Sequence, residues 1–390
     1  MEFWEKIFSL SFHPVELCFV LMWVVCFIGY VVILFQAQKS VGRISQNDLL
    51  PTRSSLKISV LIPARNEEKH LKACIEAILS QNDIHYIEEI LVLDDHSTDN
   101  TRTLVENLHN PLIRCISMPT SMTGKKAAIT LGVKLAKAPV IALTDADCIP
   151  EKNWIRSVGK QYADQQSLIF TTGLVSIQDH ENVLSRFQSL DFIANMALTA
   201  WGIKNQYFYL ANGANMSFRK TSFEDVGGYQ GNEHISSGDD VFLIKKMAEQ
   251  KNKTLMFLYD PDAAVVTTPQ KSWETLWEQR KRWATKSKAY ASGTLWSFQA
   301  LTFLLSAGII GFMLYGLIFS AGMLYISMLI LLIKAVVDYL FLSGLSKKWN
   351  LRPALQYYPL SFLTYLLYII LMGLTALFPS AYSWKGRKQQ

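Results

Sequence analysis

The stretch "VIALTDADCIP", from Val140 to Pro150, is an apolar run that ends in two carboxylates, Asp145 and Asp147. Two aspartates placed this closely on a turning segment can both reach one cation, and such hard oxygen ligands suit Mg²⁺ or Mn²⁺. The alternative is that both are ordinary turn residues, because aspartates often cap turns and helices. The position of the pair in the fold therefore decides between a metal site and a turn.

The sequence on both sides of this stretch alternates between strand and helix patterns. Runs of β-branched and apolar residues predict strands, and apolar residues at helical spacing predict helices between them. The predicted elements are, in order, a strand in "KISVLIPARN" (57–66) that ends at Pro63, a helix capped by Asn66, a strand in "EEILVLDD" (88–95), a helix over 99–108, a strand in "LIRCIS" (112–117), a helix over 124–138 and a strand in "PVIALTD" (139–145). This order is typical of an α/β fold with a mostly parallel sheet and helices on both faces.

Charged and polar residues follow three of the predicted strands. These residues are Pro63 to Glu67, Asp94 with Asp95, and Asp145 to Asp147. In such sheets ligands bind at the carboxyl ends of the strands, so these residues predict one binding site. Magnesium commonly bridges one or two carboxylates to substrate phosphates. Lys125 and Lys126, at the start of a predicted helix, could hold the same phosphates.

Four stretches are long and apolar enough to span a bilayer, namely 15–35, 301–319, 323–342 and 358–378. No basic cluster precedes the first stretch and no small-residue cleavage site follows it, which favours a permanent anchor over a signal peptide. The predicted domains are an N-terminal anchor (1–36), a cytoplasmic soluble domain (37–270), an interfacial amphipathic helix (271–295), a transmembrane hairpin (296–343), a cytoplasmic loop (344–357) and a final span with a basic tail (358–390).

Basic residues near the spans predict the orientation of the chain in the membrane. Those after the first span are Lys39, Arg43, Arg53 and Lys57, and those in the loop before the last span are Lys347, Lys348 and Arg352. Both groups place the soluble domain and this loop in the cytoplasm. With four crossings the tail residues Lys385, Arg387 and Lys388 would lie outside. Either the number of crossings differs by one, or the other charges override the tail.

The cysteines and the net charge exclude several classes of protein. The five cysteines show no paired spacing, so neither a zinc site nor a disulfide framework is predicted. The formal net charge is +6. Much of the basic excess flanks spans or lies in 271–295, as expected beside anionic membrane lipids, and it does not indicate a nucleic-acid partner.

Seven motifs occur in one order over residues 57–285. They are "SVLIPARNEE", "ILVLDDHSTDNT", "TGKKAAI", "ALTDAD", "NGANMSFRK" with "VGGY", "GDDVFL" and "QRKRW". Together they resemble the membrane-bound family-2 glycosyltransferases, which include cellulose, hyaluronan and poly-N-acetylglucosamine synthases and ceramide glucosyltransferases. The resemblance implies a GT-A fold, a UDP-sugar donor and inversion at the anomeric carbon.

The resemblance also implies roles for particular residues. By motif position, Ala64, Arg65 and Glu67 line the nucleotide pocket, and Asp95 contacts the nucleobase with Lys125 nearby. Asp145 and Asp147 form the metal-binding Asp-x-Asp motif, with Asp147 as the direct ligand. Asp240 is the general base, and a Gln-x-x-Arg-Trp motif at the acceptor and diphosphate end of the site comprises Gln279, Arg282 and Trp283. A single base suits an inverting displacement, which needs no covalent nucleophile. The guanidinium of Arg282 offers a fixed fork of donors to phosphate.

Two features depart from the polymer synthases of this family. The usual Glu-Asp pair reads Asp239-Asp240 here, so the acceptor can differ. Synthases that extrude their own polymer also tend to carry more than four spans. The acceptor is therefore predicted to be either a lipid or a growing polysaccharide, the latter with a partner protein for secretion.

The resulting prediction is a metal-dependent hexosyltransferase anchored in a membrane, with its catalytic domain in the cytoplasm. A bacterial inner membrane is the expected location. The alternative is a transporter or channel component that only resembles an enzyme, although four spans are few for a transporter.

Four further features carry two readings each. Gly213 to Asn215 either shape the acceptor pocket or form a tight turn before a strand. His96 either touches the nucleotide or is a polar turn residue. The basic, aromatic helix 271–295 lies at the membrane interface, packs on the soluble domain, or does both. Lys334 and Asp338, four residues apart in the third span, are either a structural ion pair or part of a substrate path.

Overall fold

The computed structural model describes residues 13–42, 56–233, 235, 238–284, 292–377, 382–384 and 387–389, of which 376–377, 382–384 and 387–389 are described by their backbone only. The chain divides into two compact units. One comprises 40–180 with 191–270, and is called the sheet unit here. The other comprises 1–39, 181–190 and 271–390, and is called the helical unit.

Twelve helices are present among the described residues. In chain order they are α1 (Pro14–Ser40), α2 (Leu71–Leu79), α3 (Thr101–Glu106), α4 (Lys125–Leu135), α5 (Trp154–Asp164), α6 (Val183–Lys204), α7 (Lys220–Asp225), α8 (Asp239–Ala248), α9 (Trp273–Ala284), α10 (Gly293–Phe319), α11 (Ala321–Lys348) and α12 (Tyr358–Leu377). Short 3₁₀ helices cover Ile84–Tyr86, Pro261–Ala263 and Arg352–Tyr357.

The strands form a large sheet, a small sheet and a terminal hairpin. In chain order they are β1 (Ile58–Ala64), β2 (Ile87–Asp94), β3 (Ile113–Ser117), β4 (Val140–Leu143), β5 (Cys148–Pro150), β6 (Leu168–Gly173), β7 (Val175–Ile177), β8 (Met216–Arg219), β9 (Thr254–Leu258), β10 (Val265–Thr267), β11 (Tyr382–Trp384) and β12 (Arg387–Gln389). The large sheet has the order β3-β2-β1-β4-β8-β6-β9, the small sheet has the order β5-β10-β7, and β11 pairs with β12. The four strands predicted from sequence are all present.

The large sheet is mostly parallel, and one strand runs against the others. β8 is antiparallel to both of its neighbours, β4 and β6. Leu143, the last residue of β4, pairs with Met216, the first residue of β8. The amino end of β8 therefore reaches the same edge of the sheet as the carboxyl ends of the parallel strands. This topology brings the turn before β8 to the edge where a ligand is expected.

Helices cover both faces of the large sheet, as the alternating pattern predicted. Because successive strand side chains point to opposite faces, Val60 and Ile62 share one face, where they join a buried cluster with Leu71 of α2 and other apolar residues. On the other face α4 packs closely, since a Cβ added at Gly132 would lie 2.7 Å from the Leu93 side chain.

Asn66 does not cap α2, contrary to the prediction from sequence. α2 begins at Leu71, and His70 precedes it. Asn66 has a φ of 54°, and its side chain accepts a hydrogen bond from the Thr98 backbone at 2.8 Å. Its backbone N–H donates to Ser97 at 3.0 Å. Asn66 therefore joins the loops after β1 and β2.

The helical unit contains all four predicted apolar segments as helices. α1, α10, α11 and residues 352–375 are each long and apolar enough to cross a membrane. Lys334 is fully buried, 2.5 Å from Asp338, and the Tyr30 hydroxyl of α1 donates to the same carboxylate at 2.9 Å. This arrangement favours the structural reading of the pair, because its charges are satisfied by each other and by a side chain of α1.

Candidate active site

The loops after β1 and β2 are joined at the edge of the sheet by backbone and side-chain hydrogen bonds. The backbone N–H of Asp95 donates to Ala64 at 2.9 Å. Arg65 donates through Nη1 to the Asp95 carbonyl at 2.7 Å, and the same nitrogen lies 3.9 Å from its carboxylate. The Glu67 N–H donates to the Thr101 hydroxyl at 2.7 Å. The four residues assigned to the nucleotide pocket at these strand ends are thus neighbours.

Asp95 also orders the start of α4. Its two carboxylate oxygens accept hydrogen bonds from the Thr123 hydroxyl at 3.2 Å and from the Gly124 N–H at 3.1 Å. Gly124 has a φ of 91°, which glycine adopts at little cost. The side chain of Asp95 therefore fixes the turn that delivers Lys125 to the site.

Lys125 links two carboxylates from different parts of the chain. Its Nζ lies 2.6 Å from Asp145 and 3.1 Å from Asp239. Burial opposes the charged ammonium, but the two carboxylates outweigh burial and raise the pKa of Lys125. The side chain is therefore a fixed cation between the end of β4 and the start of α8.

Asp240 lies in the first turn of α8, beside Asp239. Its carboxylate accepts hydrogen bonds from the N–H groups of Gly213 at 3.1 Å and Val241 at 2.7 Å. Desolvation by the surrounding protein and the charge of Asp239 raise the pKa of Asp240 to about 6, although Lys125 and the two hydrogen bonds oppose this rise. A carboxylate with such a pKa is mostly ionised at neutral pH and is a stronger base than an ordinary aspartate.

Gly213 packs its backbone against this charged cluster. A Cβ at this position would lie 2.8 Å from Nζ of Lys125 and 3.1 Å from the carboxylate of Asp239. The turn is built by Asn212, whose side chain accepts from the Ala214 N–H at 3.0 Å. Asn215 faces away into the core, where its side chain accepts from the Trp154 indole at 2.9 Å. The motif is thus a tight turn that also contacts the candidate base, and its role in an acceptor pocket stays a prediction.

We expect Gly213→Ala to lower the turnover of the enzyme predicted from the sequence by about 10²-fold, because the added methyl displaces Lys125 and Asp239 from their present geometry. The melting temperature should stay within a few degrees of wild type, since the ends of flexible side chains can move aside. The comparison is Gly311→Ala, where the added Cβ meets nothing within 4 Å. Equal activity of the two variants would show that the close approach at Gly213 has no role in the reaction.

Asp145 and Asp147 follow β4 and fit a divalent metal ion. Their carboxylate oxygens and the Cys148 sulfur can all lie within 4.8 Å of one another, and both aspartates are partly exposed. The Cys148 thiol contacts Asp147 Oδ1 at 3.4 Å, and burial raises the pKa of this thiol. The two carboxylates are therefore the suitable ligands for Mg²⁺ or Mn²⁺, and the protonated thiol supports one of them.

The three residues of the Gln-x-x-Arg-Trp motif lie together on α9, in the helical unit. Gln279 and Arg282 are half-buried, and Trp283 is exposed. The guanidinium of the intervening Arg280, which is buried, lies 4.3 Å from the centre of the Trp283 ring. One face of Trp283 is therefore covered by Arg280, and the assigned roles of Gln279, Arg282 and Trp283 stay predictions.

Two contributions to the site were not found by sequence reasoning. Asp239 was treated only as a shortened neighbour of the base, whereas it is an ion-pair partner of Lys125. Cys148 carried no signal, because a lone cysteine after an acidic pair has no distinctive spacing. His96 has a φ of 56° and contacts the Met122 carbonyl at 2.9 Å, so it matches the turn-residue reading.

Comparisons with known proteins place this geometry in context. Residues 59–227 match the family described as "Glycosyl transferase family 2". The chain is 26% identical over 245 residues to "Probable glycosyltransferase YdaM" of Bacillus subtilis, covering 58% of this chain and 54% of that protein. It is 24% identical over 248 residues to a "Poly-beta-1,6-N-acetyl-D-glucosamine synthase" of Staphylococcus epidermidis, covering 62% and 57% respectively. The chain thus spans little more than half the length of either relative.

A solved structure shares the fold over almost the whole chain. It is the "Mannosyltransferase PcManGT from Pyrobaculum calidifontis in complex with GDP-Man and Mn2+", with a TM-score of 0.57 and 16% identity, covering 93% of this chain and 99% of that one. At this identity the likeness concerns the fold alone. Asp240 and α9 lie beyond the residues matched to the family, so their roles depend on the geometry and on the motifs.

Proposed function

We propose that this chain, whose residues 59–227 match the glycosyl transferase family 2 and whose fold resembles that of a solved mannosyltransferase, is a membrane-anchored inverting glycosyltransferase. It moves a sugar from a UDP-sugar to a lipid-linked or polysaccharide acceptor at the cytoplasmic face of a bacterial inner membrane. Departure of the diphosphate is assisted by a divalent metal ion, and Asp240 is the base. The alternative of a transporter or channel component is not carried further, since the matched family and the relatives named as glycosyltransferases favour an enzyme.

The observation that carries the proposal is the environment of Asp240, which holds its carboxylate in place and raises its pKa. Its pKa of about 6 results from desolvation and from the adjacent Asp239 charge. Each carboxylate oxygen accepts one backbone hydrogen bond and keeps a lone pair for a further donor. An acceptor hydroxyl can therefore donate to a carboxylate that is held in place and is basic enough to take its proton.

The reaction follows from this arrangement in one displacement. The acceptor oxygen attacks the anomeric carbon while its proton passes to Asp240. The bond from the anomeric carbon to the diphosphate oxygen breaks, and that oxygen leaves with the electron pair. Attack opposite the leaving group inverts the configuration, and no covalent enzyme intermediate is required.

Charge on the diphosphate is met by residues on the other side of the cluster. Lys125 lies 2.6 Å from Asp145, so an ammonium stands beside the carboxylates proposed to hold the metal ion. A metal ion bound by Asp145 and Asp147 would neutralise the charge that develops on the departing diphosphate. Arg282 is proposed to add a guanidinium fork to the same group, and Ala64, Arg65, Glu67 and Asp95 to hold the nucleotide.

Two findings bear on the acceptor, namely the name of one relative and the number of long apolar helices. The relative named as a poly-N-acetylglucosamine synthase makes a polymer by its name, which favours a polysaccharide. Among the described residues four helices are long and apolar enough to cross a membrane, and this small number favours a lipid-linked acceptor, or a polymer that a partner protein carries across. Both acceptors would be reached from the membrane surface, where the basic helix α9 is proposed to lie among anionic lipids.

We expect membranes from expressing cells to transfer label from one radiolabelled UDP-sugar in a panel that also contains GDP-mannose. GDP-mannose belongs in the panel because the solved structure of similar fold is a complex with that donor. Separating chloroform-soluble from insoluble high-mass product distinguishes a lipid from a polymer acceptor. Membranes carrying Asp240→Asn are the control. Transfer from GDP-mannose alone would refute the proposed donor class, and equal label in the control would refute the enzyme as its source.

A further inference from the structure

The first and third apolar helices, α1 and α11, run side by side in the same direction. At one end Lys348 Nζ donates to the Gln38 carbonyl at 3.0 Å. Further along, the Tyr30 hydroxyl donates to Asp338 at 2.9 Å. The two contacts are eight residues apart on α1 and ten apart on α11. The two axes therefore advance nearly together.

α10 runs antiparallel to α1, along the same axis. The rings of Tyr30 and Phe298 stack with centres 6.4 Å apart. The Trp23 indole donates to the Leu305 carbonyl at 3.2 Å. Seven residues separate Tyr30 from Trp23, and seven separate Phe298 from Leu305. The three helices thus lie along one common axis, with α10 antiparallel to α1 and α11. The depth at which Tyr30, Asp338 and Phe298 meet is called the Tyr30 level here.

The fourth apolar helix, α12, is not aligned with the axis that α1, α10 and α11 share. The Tyr358 hydroxyl donates to the Ala335 carbonyl at 2.6 Å, and a Cβ added at Gly373 would lie 2.4 Å from Phe303. At a rise of 1.5 Å per residue, Ala335 lies about 4 Å and Phe303 about 7 Å from the Tyr30 level, both on the side away from Lys348. The two contacts of α12 thus differ in depth by only about 3 Å, whereas α12 advances about 22 Å along its own axis between them. Even allowing for the length of the Tyr358 side chain, α12 is inclined by roughly 60° or more to the other three helices.

The middle of α12 lies close to the start of α9, a helix that carries basic residues. Phe187 packs edge-on against Tyr368 at 5.6 Å and also against Trp273 at 5.3 Å. Trp273 begins α9, a helix that carries Lys281 and Arg282 in its last turn. The backbone of 382–384, which follows α12, also approaches α9. The middle of α12 and the segment 382–384 that follows it therefore both lie near α9.

The exposed face of α12 is a stripe of leucines. The members of this stripe, between 42% and 57% exposed, are Leu360, Leu363, Leu367, Leu371 and Leu374. The opposite face is buried through Phe362, Leu366 and Met372. An inclined helix with one apolar exposed face suits the acyl chains of a single leaflet. A crossing helix is tilted by about 20° on average and by up to about 40°.

We propose that α12 does not cross the bilayer but lies obliquely in one leaflet, with the leucine stripe against lipid acyl chains. At an inclination of about 60°, its 20 residues cover about 15 Å of depth. This is half of the hydrocarbon thickness of about 30 Å. The membrane is thus crossed by α1, α10 and α11, and the C-terminus returns to the side on which α1 ends.

The distribution of basic residues agrees with this topology. The conflict in the sequence concerned Lys385, Arg387 and Lys388, which four crossings would place outside. With three crossings these residues lie on the same side as Lys39 and Lys347, and every basic cluster faces one compartment. The lipid partner proposed for this tail is an anionic headgroup of that leaflet.

The test places reporters on the full chain in a bacterial host. One fusion carries a green fluorescent protein at the C-terminus, a second carries alkaline phosphatase there, and a third carries an epitope tag after Ser320, between α10 and α11. We expect fluorescence from the first, no phosphatase activity from the second, and antibody access to the third in spheroplasts. Each fusion is first checked for a single symmetric peak in detergent size exclusion.

The decisive comparison is between the C-terminus and Ser320, which the proposal places on opposite sides. An active phosphatase together with a dark fluorescent fusion would overturn it, because the C-terminus would then share the side of Ser320. A fluorescent fusion with an accessible tag at Ser320 would support it. The readout does not depend on sugar transfer, so failure of the proposed function would leave this result unchanged.

Discussion

Asp240→Asn is expected to reduce sugar transfer by about 10²- to 10⁴-fold while leaving nucleotide binding close to that of the wild type. The amide cannot take the proton of the acceptor hydroxyl. It also meets two backbone N–H donors, from Gly213 and Val241, and can accept through only one atom. The measurement is the initial rate of transfer at saturating donor, beside UDP affinity by titration calorimetry in detergent.

The control for Asp240→Asn is Asp225→Asn, which removes an exposed carboxylate. This control should keep wild-type activity. Asp239→Asn separates the base from its neighbour, because it removes the charge that raises the pKa of Asp240. Wild-type turnover in Asp240→Asn, with turnover lost in Asp239→Asn, would reassign the base to Asp239.

The pH dependence provides an independent check of the same residue. A carboxylate acts as a base in its ionised form, so Asp240 sets the acidic limb of the pH profile. Below a pKa of about 6, kcat/KM of the wild type should fall tenfold per pH unit, and just above this pKa it should no longer change with pH. Asp239→Asn should move this limb to lower pH, since the raising charge is gone. A limb that stays in place would mean that the titrating group is not Asp240.

Asp147→Ala is expected to weaken UDP binding in the presence of Mn²⁺ or Mg²⁺ by about 100-fold, and to change it little in EDTA. The reason is that Asp147 offers a carboxylate beside Asp145, at a distance that lets one ion contact both. Asp145 is already 2.6 Å from Lys125, so Asp147 is the carboxylate better placed to bind metal. Calorimetric titration of UDP with and without the metal ion measures both affinities.

Glu151→Ala is the matched control, because it removes an exposed carboxylate from the same segment of chain. It should bind UDP like the wild type in both conditions. An equal loss for Asp147→Ala with the metal ion and in EDTA would mean that the side chain supports the fold, as its contact with the Cys148 thiol would allow. The metal would then be held elsewhere or not be needed for UDP binding.

Local sequence patterns were sufficient for the first four strands and for the clustering of polar residues at their ends. β1, β2, β3 and β4 were predictable because apolar runs bounded by polar turns specify buried strands. Since the carboxyl ends of parallel strands meet at one edge, Arg65, Asp95 and Asp145 were expected to be neighbours. The hydrogen bond of Arg65 to Asp95 agrees with this.

Long-range contacts of the cluster were beyond those patterns. Lys125 and Asp239 are far apart in sequence, and nothing in either segment encodes their 3.1 Å approach. The Gly213 turn, which the antiparallel β8 brings to this edge of the sheet, lies close to both side chains. The conformation of Asn66 was missed for a similar reason, since its partner is the loop after β2.

The sequence by itself determined that this protein has a strand-end acidic site on an α/β sheet and four apolar segments of membrane-spanning length. Periodicity and residue chemistry are local properties, so they can be read from one segment at a time. The tertiary structure alone decided that Lys125 bridges Asp145 and Asp239, and that α12 is inclined to the other apolar helices. Hydropathy measures how apolar a helix is and not its direction, and the direction is set by the side chains against which the helix packs.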